Sequence, residues 1–434
     1  MLSDFFARLT SPFRPAERLD RGQRRLVLAV VAAAIFIQYD AGLFSLVLPY
    51  VQRDLQVPEG QVGVLGGLIR ASALGSPLIV LLTARMGRRT LLLCLVAAYS
   101  LTTGLTALAP NAWSFVALQG LTRALISAEV MIAIVVLLDG LPRRAWGWGV
   151  GIDGSLGTFG LGAAYLIFPW LVSSPSGWRT LYAIGLVPAL AVFVWRRALL
   201  PAQPGAFQSE VADRLSHDPE AARNVRPAAA IVWLAVVALL WSVSVTSAWV
   251  FIPKYLHDTG WPARSISTLF IVGQVLVLPA AFVVGRLSDR YGRRPTLGVS
   301  LALGVAAAFV VFNAPAHLPV KVDVGPLRVS LDAARVVVGC GGIALAWFLG
   351  AADGVVRVYA GELMPGRKTA GTSMVGTAWI VGGVLGLFGE SGLYSLLGSH
   401  ASALTALLVA AVVAVVVLAV APLRPVAAAV SAAD

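Results

Sequence analysis

Three ionisable residues lie in the middle of long apolar stretches of this 434-residue chain: Asp40, Arg70 and Arg123. Within lipid, a charged side chain costs a few kcal/mol or more unless it has a partner or reaches water. At a helical rise of about 1.5 Å per residue, all three lie roughly 14 to 15 Å from the outer face, close to the middle of a bilayer. One carboxylate and two guanidiniums at one depth predict a polar pocket with excess positive charge.

Such a pocket suits an anionic ligand, because a guanidinium presents a planar fork that matches a carboxylate or a phosphate. Asp40 is the predicted proton-binding residue, since burial favours its neutral form whereas a neighbouring arginine favours the carboxylate. Protonation of Asp40 would release an arginine for the ligand and so couple the two. The alternative is a permanent ion pair that only holds helices together.

Other charged residues within the apolar segments lie closer to the predicted cytoplasmic face. Glu129 and Asp153 have similar depths. Glu129 is predicted to act in gating, with a second proton site or a packing pair as the alternatives, and Asp153 is predicted to be a gating residue. Asp353 and Arg357 are four residues apart, the spacing of a helical ion pair, and are predicted to form a gating pair at the inner mouth, with contact to the ligand as the alternative. Glu390 lies near the outer end of its segment, where it can reach water, so it is assigned no role.

Two deep tryptophans, Trp241 and Trp347, are predicted to offer apolar contact to the ligand, with helix packing as the alternative. The two cysteines, Cys94 and Cys340, are not spaced as the ligands of a metal site. They are predicted to be small, buried apolar side chains. The four histidines fall in loops or at their edges, so a buried histidine proton relay is not expected. The sequence predicts no metal and no cofactor.

The elements that position these residues must be membrane helices. With 58% hydrophobic and 12% charged residues, the chain has too little polar surface for a soluble globule. A helix that crosses the hydrocarbon layer needs about 20 apolar residues. Twelve such segments are predicted, at 26–49, 61–83, 90–109, 113–138, 147–172, 179–198, 228–253, 265–285, 296–314, 333–359, 372–396 and 401–422.

Most of the 33 cationic residues fall on one set of loops and on both termini. Lys and Arg mark the cytoplasmic side of a membrane, so both termini are predicted to be cytoplasmic in a bacterial inner membrane. This asymmetry accounts for most of the net charge of +12, and no nucleic-acid partner is expected. The absence of a G-x-x-x-x-G-K-[ST] phosphate loop disfavours an ATP-driven pump.

The chain divides at a polar, proline-containing stretch between two halves of six segments each, as in many secondary transporters. The predicted domains are a basic arm (1–25), a first six-helix bundle (26–198), a cytoplasmic linker (199–227), a second six-helix bundle (228–422) and a cytoplasmic tail (423–434). Glycines recur along the fifth and eleventh segments, which predicts close helix packing there.

Two arginine-rich stretches occupy matching places in the halves: Arg85-Met-Gly-Arg-Arg89 and Gly285-Arg-Leu-Ser-Asp-Arg-Tyr-Gly-Arg-Arg294. The second reproduces the G-x-L-x-D-R-x-G-R-R signature of the major facilitator superfamily, which the chain resembles over essentially its whole length. The resemblance implies an all-α membrane protein of twelve helices in two pseudo-symmetric bundles. Gly177-Trp-Arg179 and the acid-x-x-Pro turns at Asp139 and Glu362 resemble the branch of sugar and organic-acid symporters.

The resemblance also implies gating residues at the cytoplasmic side. Asp289 corresponds to the family's conserved-motif aspartate, which helps to hold the two halves together on the cytoplasmic side when the cavity faces outward. Ala84 stands at the matching place in the first half. The implied gate pairs join Asp139 to Arg88 and Arg89, and Glu362 to Arg293 and Arg294.

These observations predict a transporter and not an enzyme. The favoured function is alternating-access transport of a small organic anion or related metabolite by a monomer in lipid, coupled to protons. The first alternative is a proton-driven drug or metabolite efflux antiporter, although the fifth segment lacks the Gly-Pro pattern of the antiporter members. A receptor or scaffold that does not transport is the third possibility.

Overall fold

The computed structural model describes residues 19–83, 86, 88–142, 145–172, 174, 176–199, 229–314, 321–324, 329–364 and 368–422. The helices of the first half are α1 (Arg21–Asp54), α2 (Val62–Ala71), α3 (Ser76–Thr83), α4 (Arg88–Thr106), α5 (Ala112–Gly140), α6 (Trp146–Leu171), α7 (Gly177–Ile184) and α8 (Leu186–Leu199). Those of the second half are α9 (Ala229–Asp258), α10 (Ala263–Tyr291), α11 (Arg293–Asn313), α12 (Ala333–Leu363), α13 (Lys368–Leu397) and α14 (His400–Val420).

Each of the twelve predicted membrane segments coincides with one helix or with two consecutive helices. The second segment is divided into α2 and α3 by a 3-10 turn at Ser72–Gly75, and another 3-10 turn at Glu59–Gln61 precedes α2. The sixth is divided into α7 and α8 at Gly185. Among the described residues, eight helices are long and apolar enough to cross a membrane.

Local sequence signals set several helix ends. Asn111 caps α5, because its side chain accepts a hydrogen bond from the Ser114 backbone N–H at 2.9 Å. Ser399 caps α14 in the same manner through Ser402. Gly292, the second glycine of the arginine-rich signature, has a φ of +95° between α10 and α11. That backbone conformation favours glycine, which explains why the signature requires this residue type there.

The long loop between α11 and α12 contains a short antiparallel hairpin that the sequence analysis did not predict. Strand β1 (Lys321–Val324) pairs with β2 (Val329–Asp332), with Lys321 opposite Asp332. It is a small addition to a helical fold, and α12 begins directly after β2.

The described residues form two compact units. The first comprises those within Met1–Val47 and Ser72–Pro219, and the second comprises those within Leu48–Ala71 and Glu220–Asp434. The predicted linker, 199–227, lies outside the described residues except for its first residue.

Buried side chains of α1, α4 and α5 pack together in the core of the first unit. Two side-chain hydrogen bonds also join α4 and α5. Thr122 donates to Thr102 at 2.7 Å, and the Gln119 amide donates to Thr106 at 3.0 Å. Such bonds hold helices together in lipid, where the hydrophobic effect does not.

Glycines permit the closest helix contacts, as the sequence predicted. A Cβ atom on Gly160 of α6 would lie 1.7 Å from the Ile35 carbonyl oxygen of α1. In the second unit, Cβ atoms on Gly382 and Gly386 of α13 would lie 2.2 and 2.1 Å from carbonyl oxygens of α9. The prediction of close packing is confirmed at these three positions, because any larger residue would push the backbones apart.

The prediction for the cysteines is wrong. Cys94 on α4 and Cys340 on α12 are both exposed on the surfaces of their helices. A small apolar residue can occupy a lipid-facing position as readily as a buried one, because in a membrane both environments are apolar.

Candidate functional site

Asp40 is almost fully buried in the first unit, with 1% of its surface exposed. Its Oδ1 accepts a hydrogen bond from the Thr103 hydroxyl of α4 at 3.1 Å. Within the described residues, its Oδ2 has no hydrogen-bond partner. A buried carboxyl oxygen without a partner is costly, so Asp40 is suited to bind a proton or a ligand.

Arg123 of α5 is the cation that acts electrostatically on Asp40, and both groups also act on the buried Tyr182 hydroxyl of α7. The structure therefore brings together two of the three predicted pocket residues within one unit. Arg70 belongs to the second unit, where it packs onto α13. A Cβ atom on Gly383 would lie 2.1 Å from its Nε.

Glu129 of α5 forms an ion pair with Arg196 of α8, with 2.7 Å between Oε1 and Nη2. Both side chains are buried in the first unit, and the two groups are not aligned as a hydrogen bond. Asp153 of α6 is half-buried and lies within electrostatic range of both. Sequence reasoning did not single out Arg196, because its position at the end of an apolar segment is typical of a residue that reaches water.

The arginine-rich signature of the second unit forms a network of polar contacts. Arg293 Nη2 lies 2.9 Å from the Glu362 carboxylate of α12, and its Nη1 donates to Asp289 and, at 2.6 Å, to the Ser288 hydroxyl. Arg294 instead donates to the main-chain carbonyls of Leu418, at 2.8 Å, and Ala419 at the end of α14. The implied pair of Glu362 is thus made with Arg293.

In the first unit, Arg89 donates to the main-chain carbonyl of Arg197 near the end of α8, at 2.7 Å. This is the counterpart of the contact that Arg294 makes in the second unit. The side chains of Arg88 and Asp139, and residue Ala84, lie outside the described part of the structure.

The remaining predicted residues belong to the second unit. Trp241 of α9 is buried and packs against α11, where a Cβ atom on Gly304 would lie 2.9 Å from its ring. This position favours the helix-packing alternative for Trp241. Arg357 is exposed on α12, and the side chains of Trp347 and Asp353 are outside the described residues.

A cluster of charged residues at one end of the second unit was missed. His400, at the start of α14, lies with Nδ1 2.5 Å from the Glu390 carboxylate of α13 and Nε2 2.9 Å from that of Glu59. Lys254 of α9 lies 3.0 Å from Glu59 and 2.8 Å from Asp258.

Two sequence-based expectations are therefore corrected. Glu390 does not reach water, because its side chain is fully buried, and His400 is 11% exposed although it begins a helix. The rings of Tyr394 and Phe251 cover His400, with centroids 4.3 and 5.1 Å from its own. One sequence signal could have indicated this cluster: Lys254 and Asp258 are charged residues four apart in an apolar helix, the spacing of a helical ion pair.

In the described ranges, no group of three or more His, Cys, Asp and Glu side chains could hold a metal ion.

Comparison with known proteins matches residues 30–324 to the Major Facilitator Superfamily. A gallate transporter of Pseudomonas putida is 24% identical, over 82% of this chain and 80% of its own. The multidrug resistance protein MdtG of Enterobacter lignolyticus is 25% identical, over 60% of this chain and 65% of its own. The inward-open structure of the xylose transporter XylE from E. coli covers 92% of this chain and 96% of its own, with a TM-score of 0.69 and 12% identity.

Proposed function

We propose that this chain, which belongs to the Major Facilitator Superfamily of membrane transporters, carries a small organic anion by alternating access, coupled to protons. The chain is an integral protein of the inner membrane with a small-molecule substrate. The nature of the substrate and the coupling ion are the proposed parts. The predicted gating residues at the arginine-rich loops keep their proposed role in alternating access.

The observation that carries the proposal is the environment of Asp40. One of its oxygens bonds to Thr103, and the other has no partner within the described residues. Burial favours the neutral acid, whereas Arg123 favours the charged carboxylate, so the two act on the Asp40 carboxyl in opposite directions. A protonated Asp40 would leave the Arg123 guanidinium available to a carboxylate ligand.

The relative named as a gallate transporter supports an organic anion as substrate. Arg70 keeps its proposed role as a second anion-binding residue. Its position against Gly383 and close to Thr246 places its guanidinium among residues of the second unit.

The test is uptake into proteoliposomes with an imposed pH gradient, against a panel of aromatic and aliphatic acids, sugars and cationic dyes. Uptake of an acid that is driven by an inwardly directed proton gradient is the expected result. Asp40→Asn should abolish the response to the gradient while exchange of the same acid without a gradient persists, because the amide keeps the shape but binds no proton.

Asp54→Asn is the matched control, since Asp54 is an exposed aspartate at the end of the same helix, α1. It should leave gradient-driven uptake intact. Uptake of a neutral sugar in preference to every acid would contradict the anion proposal, and gradient-driven uptake by Asp40→Asn equal to that of the parent protein would contradict the proton site.

The second candidate is proton-driven efflux, which the similarity to a multidrug resistance protein favours. It predicts extrusion of cationic dyes from vesicles when the proton gradient is reversed. Dye extrusion that is competed by none of the acids would establish this function instead.

A further inference from the structure

The segment Leu48–Ala71 comprises the end of α1, the turn that follows it and α2, and it is packed within the second unit. The Val64 backbone N–H donates to the Ser391 hydroxyl of α13 at 3.0 Å. A Cβ atom on Gly63 would lie 2.3 Å from the Leu387 carbonyl oxygen. This segment, here called the outer strap, is therefore held directly against the backbone of α13.

His400 connects the outer strap to α13 and α14. Its two ring nitrogens face two carboxylates on different elements, Glu390 of α13 and Glu59 of the strap. A neutral imidazole has one N–H donor and one acceptor nitrogen, and an acceptor nitrogen repels a carboxylate. Both contacts can be hydrogen bonds only if the group of three holds one proton more than a neutral histidine and two carboxylates would hold.

We propose that His400, Glu390 and Glu59 form a proton-binding site that holds the outer strap closed when the proton is bound and releases it when the proton leaves. The proton is shared by the group, and in its bound form the imidazolium donates to both carboxylates. Loss of the proton leaves one carboxylate facing a nitrogen lone pair. That contact is repulsive, so the strap separates from α13.

The charges around His400 explain why the proton is retained in the closed form. Lys254 contacts Glu59 and also acts electrostatically on His400. Gln52 hydrogen-bonds to Glu59 as well. Lys254 is bound on its other side by Asp258, which His257 contacts at 3.2 Å. Lys254 thus contacts two carboxylates, and Glu390 brings a third, so the negative charges around His400 outnumber this lysine and favour a protonated imidazole.

The inference deepens the proposed transport function, on which it rests. In the predicted orientation, with both termini cytoplasmic, the end of the strap that carries Glu59 lies at the outer side of the membrane. The proton-binding site would then respond to the pH outside the cell, whereas Asp40 lies in the middle of the bilayer. A proton from outside the cell would therefore bind first at His400, Glu390 and Glu59, where it controls the position of the strap.

The test is the reactivity of a cysteine that the strap covers. Cys94 and Cys340 are first replaced by serine, and Ser391→Cys then introduces a reporter that is 4% exposed and in contact with the strap. A charged methanethiosulfonate reagent is added to the purified protein in nanodiscs at pH 5.5 and 8.5. Arg53→Cys, on an exposed residue of α1, corrects for the pH dependence of the thiol itself.

After that correction, the reporter should react about tenfold faster at pH 8.5 than at pH 5.5, as expected for the loss of one hydrogen bond between charged groups. His400→Arg places a permanent cation with several donors between the two carboxylates, so the reporter should stay slow at both values. His400→Gln is neutral and carries its donors on one nitrogen only, so its amide oxygen cannot donate to the second carboxylate, and the reporter should be fast at both values. His257→Gln is the matched control and should behave as the parent protein.

Corrected reactivity that is the same at both pH values in the parent protein would overturn the inference, as would His400→Gln and His400→Arg giving equal rates. The outcome is separable from that of the transport experiment. If the strap shows no pH response while Asp40→Asn abolishes gradient-driven uptake, the proposed function holds and the proton-binding site at His400 does not. A normal strap response without any gradient-driven transport gives the reverse conclusion.

Discussion

Glu129 in the first unit and Glu390 in the second are both buried carboxylates, but their cationic partners differ in kind. Glu129 pairs with Arg196, whose guanidinium keeps its charge at any physiological pH. Glu390 contacts His400, whose charge changes in the physiological range. The first pair is therefore fixed, whereas the second can be made and broken by a proton.

The largest expected effect tests the fixed pair. Glu129→Gln should lower the free energy of unfolding by about 3 to 5 kcal/mol, because a buried guanidinium loses its counter-charge. With Asp153→Asn as the background, which removes the neighbouring titratable carboxyl, the loss should be the same at pH 5.5 and 8.5, since Arg196 cannot release its proton. Denaturant titration in detergent at both values measures it, and a loss that varies with pH would contradict the fixed character of the pair.

A double variant decides whether the fixed pair has a role beyond packing. Glu129→Leu with Arg196→Leu replaces both charges by apolar groups, which is often neutral or stabilising. If the pair is structural, this protein should be stable and should transport normally. A stable double variant without transport would assign the pair to gating or proton transfer, the roles predicted for Glu129.

The next expected effect is smaller and concerns Glu390 and His400, whose interaction depends on a proton. Glu390→Gln should cost about 1 to 3 kcal/mol, the range for losing a hydrogen bond to a charged group. It should cost more at pH 5.5 than at pH 8.5, because at high pH the histidine loses its proton and the parent protein has no charged bond to lose. The same denaturant titration at the two pH values measures the difference.

If Glu390→Gln lowered the free energy of unfolding equally at pH 5.5 and 8.5, His400 would keep its charge throughout this range, as Arg196 does. The two units would then not differ in this respect.

The fold followed from the sequence because its signals are local. Apolar length set the twelve segments, and the signature glycine at Gly292 marked the turn between α10 and α11. The hairpin between α11 and α12 was missed, since eight residues of short strands give little periodicity against a loop background. Family membership was likewise visible in one short motif.

The partners of buried charges could not be predicted in the same way. Depth along a helix indicated that Asp40 and Arg123 share a level, and one unit does contain both. No local pattern indicated that Arg196 turns inward, or that Glu59, Glu390 and His400 meet across 341 residues of chain. Helix rotation and the contacts between distant segments decide these pairs, and neither is encoded in local spacing.

The smallest expected effect concerns a contact that both halves of the chain make. Arg89 and Arg294 occupy matching places, and each donates to main-chain carbonyls near the end of the last helix of its half. A cation at a helix C-terminus contributes about 0.3 to 1 kcal/mol, so Arg89→Gln and Arg294→Gln should each lower stability by that amount and by similar degrees. Arg293→Gln breaks the contacts with Glu362 and Asp289 and should reduce transport more than either. If Arg294→Gln abolished transport without a loss of stability, Arg294 would have a gating role, as the family resemblance implies. The contact with the helix end would then have a purely structural role at Arg89 only.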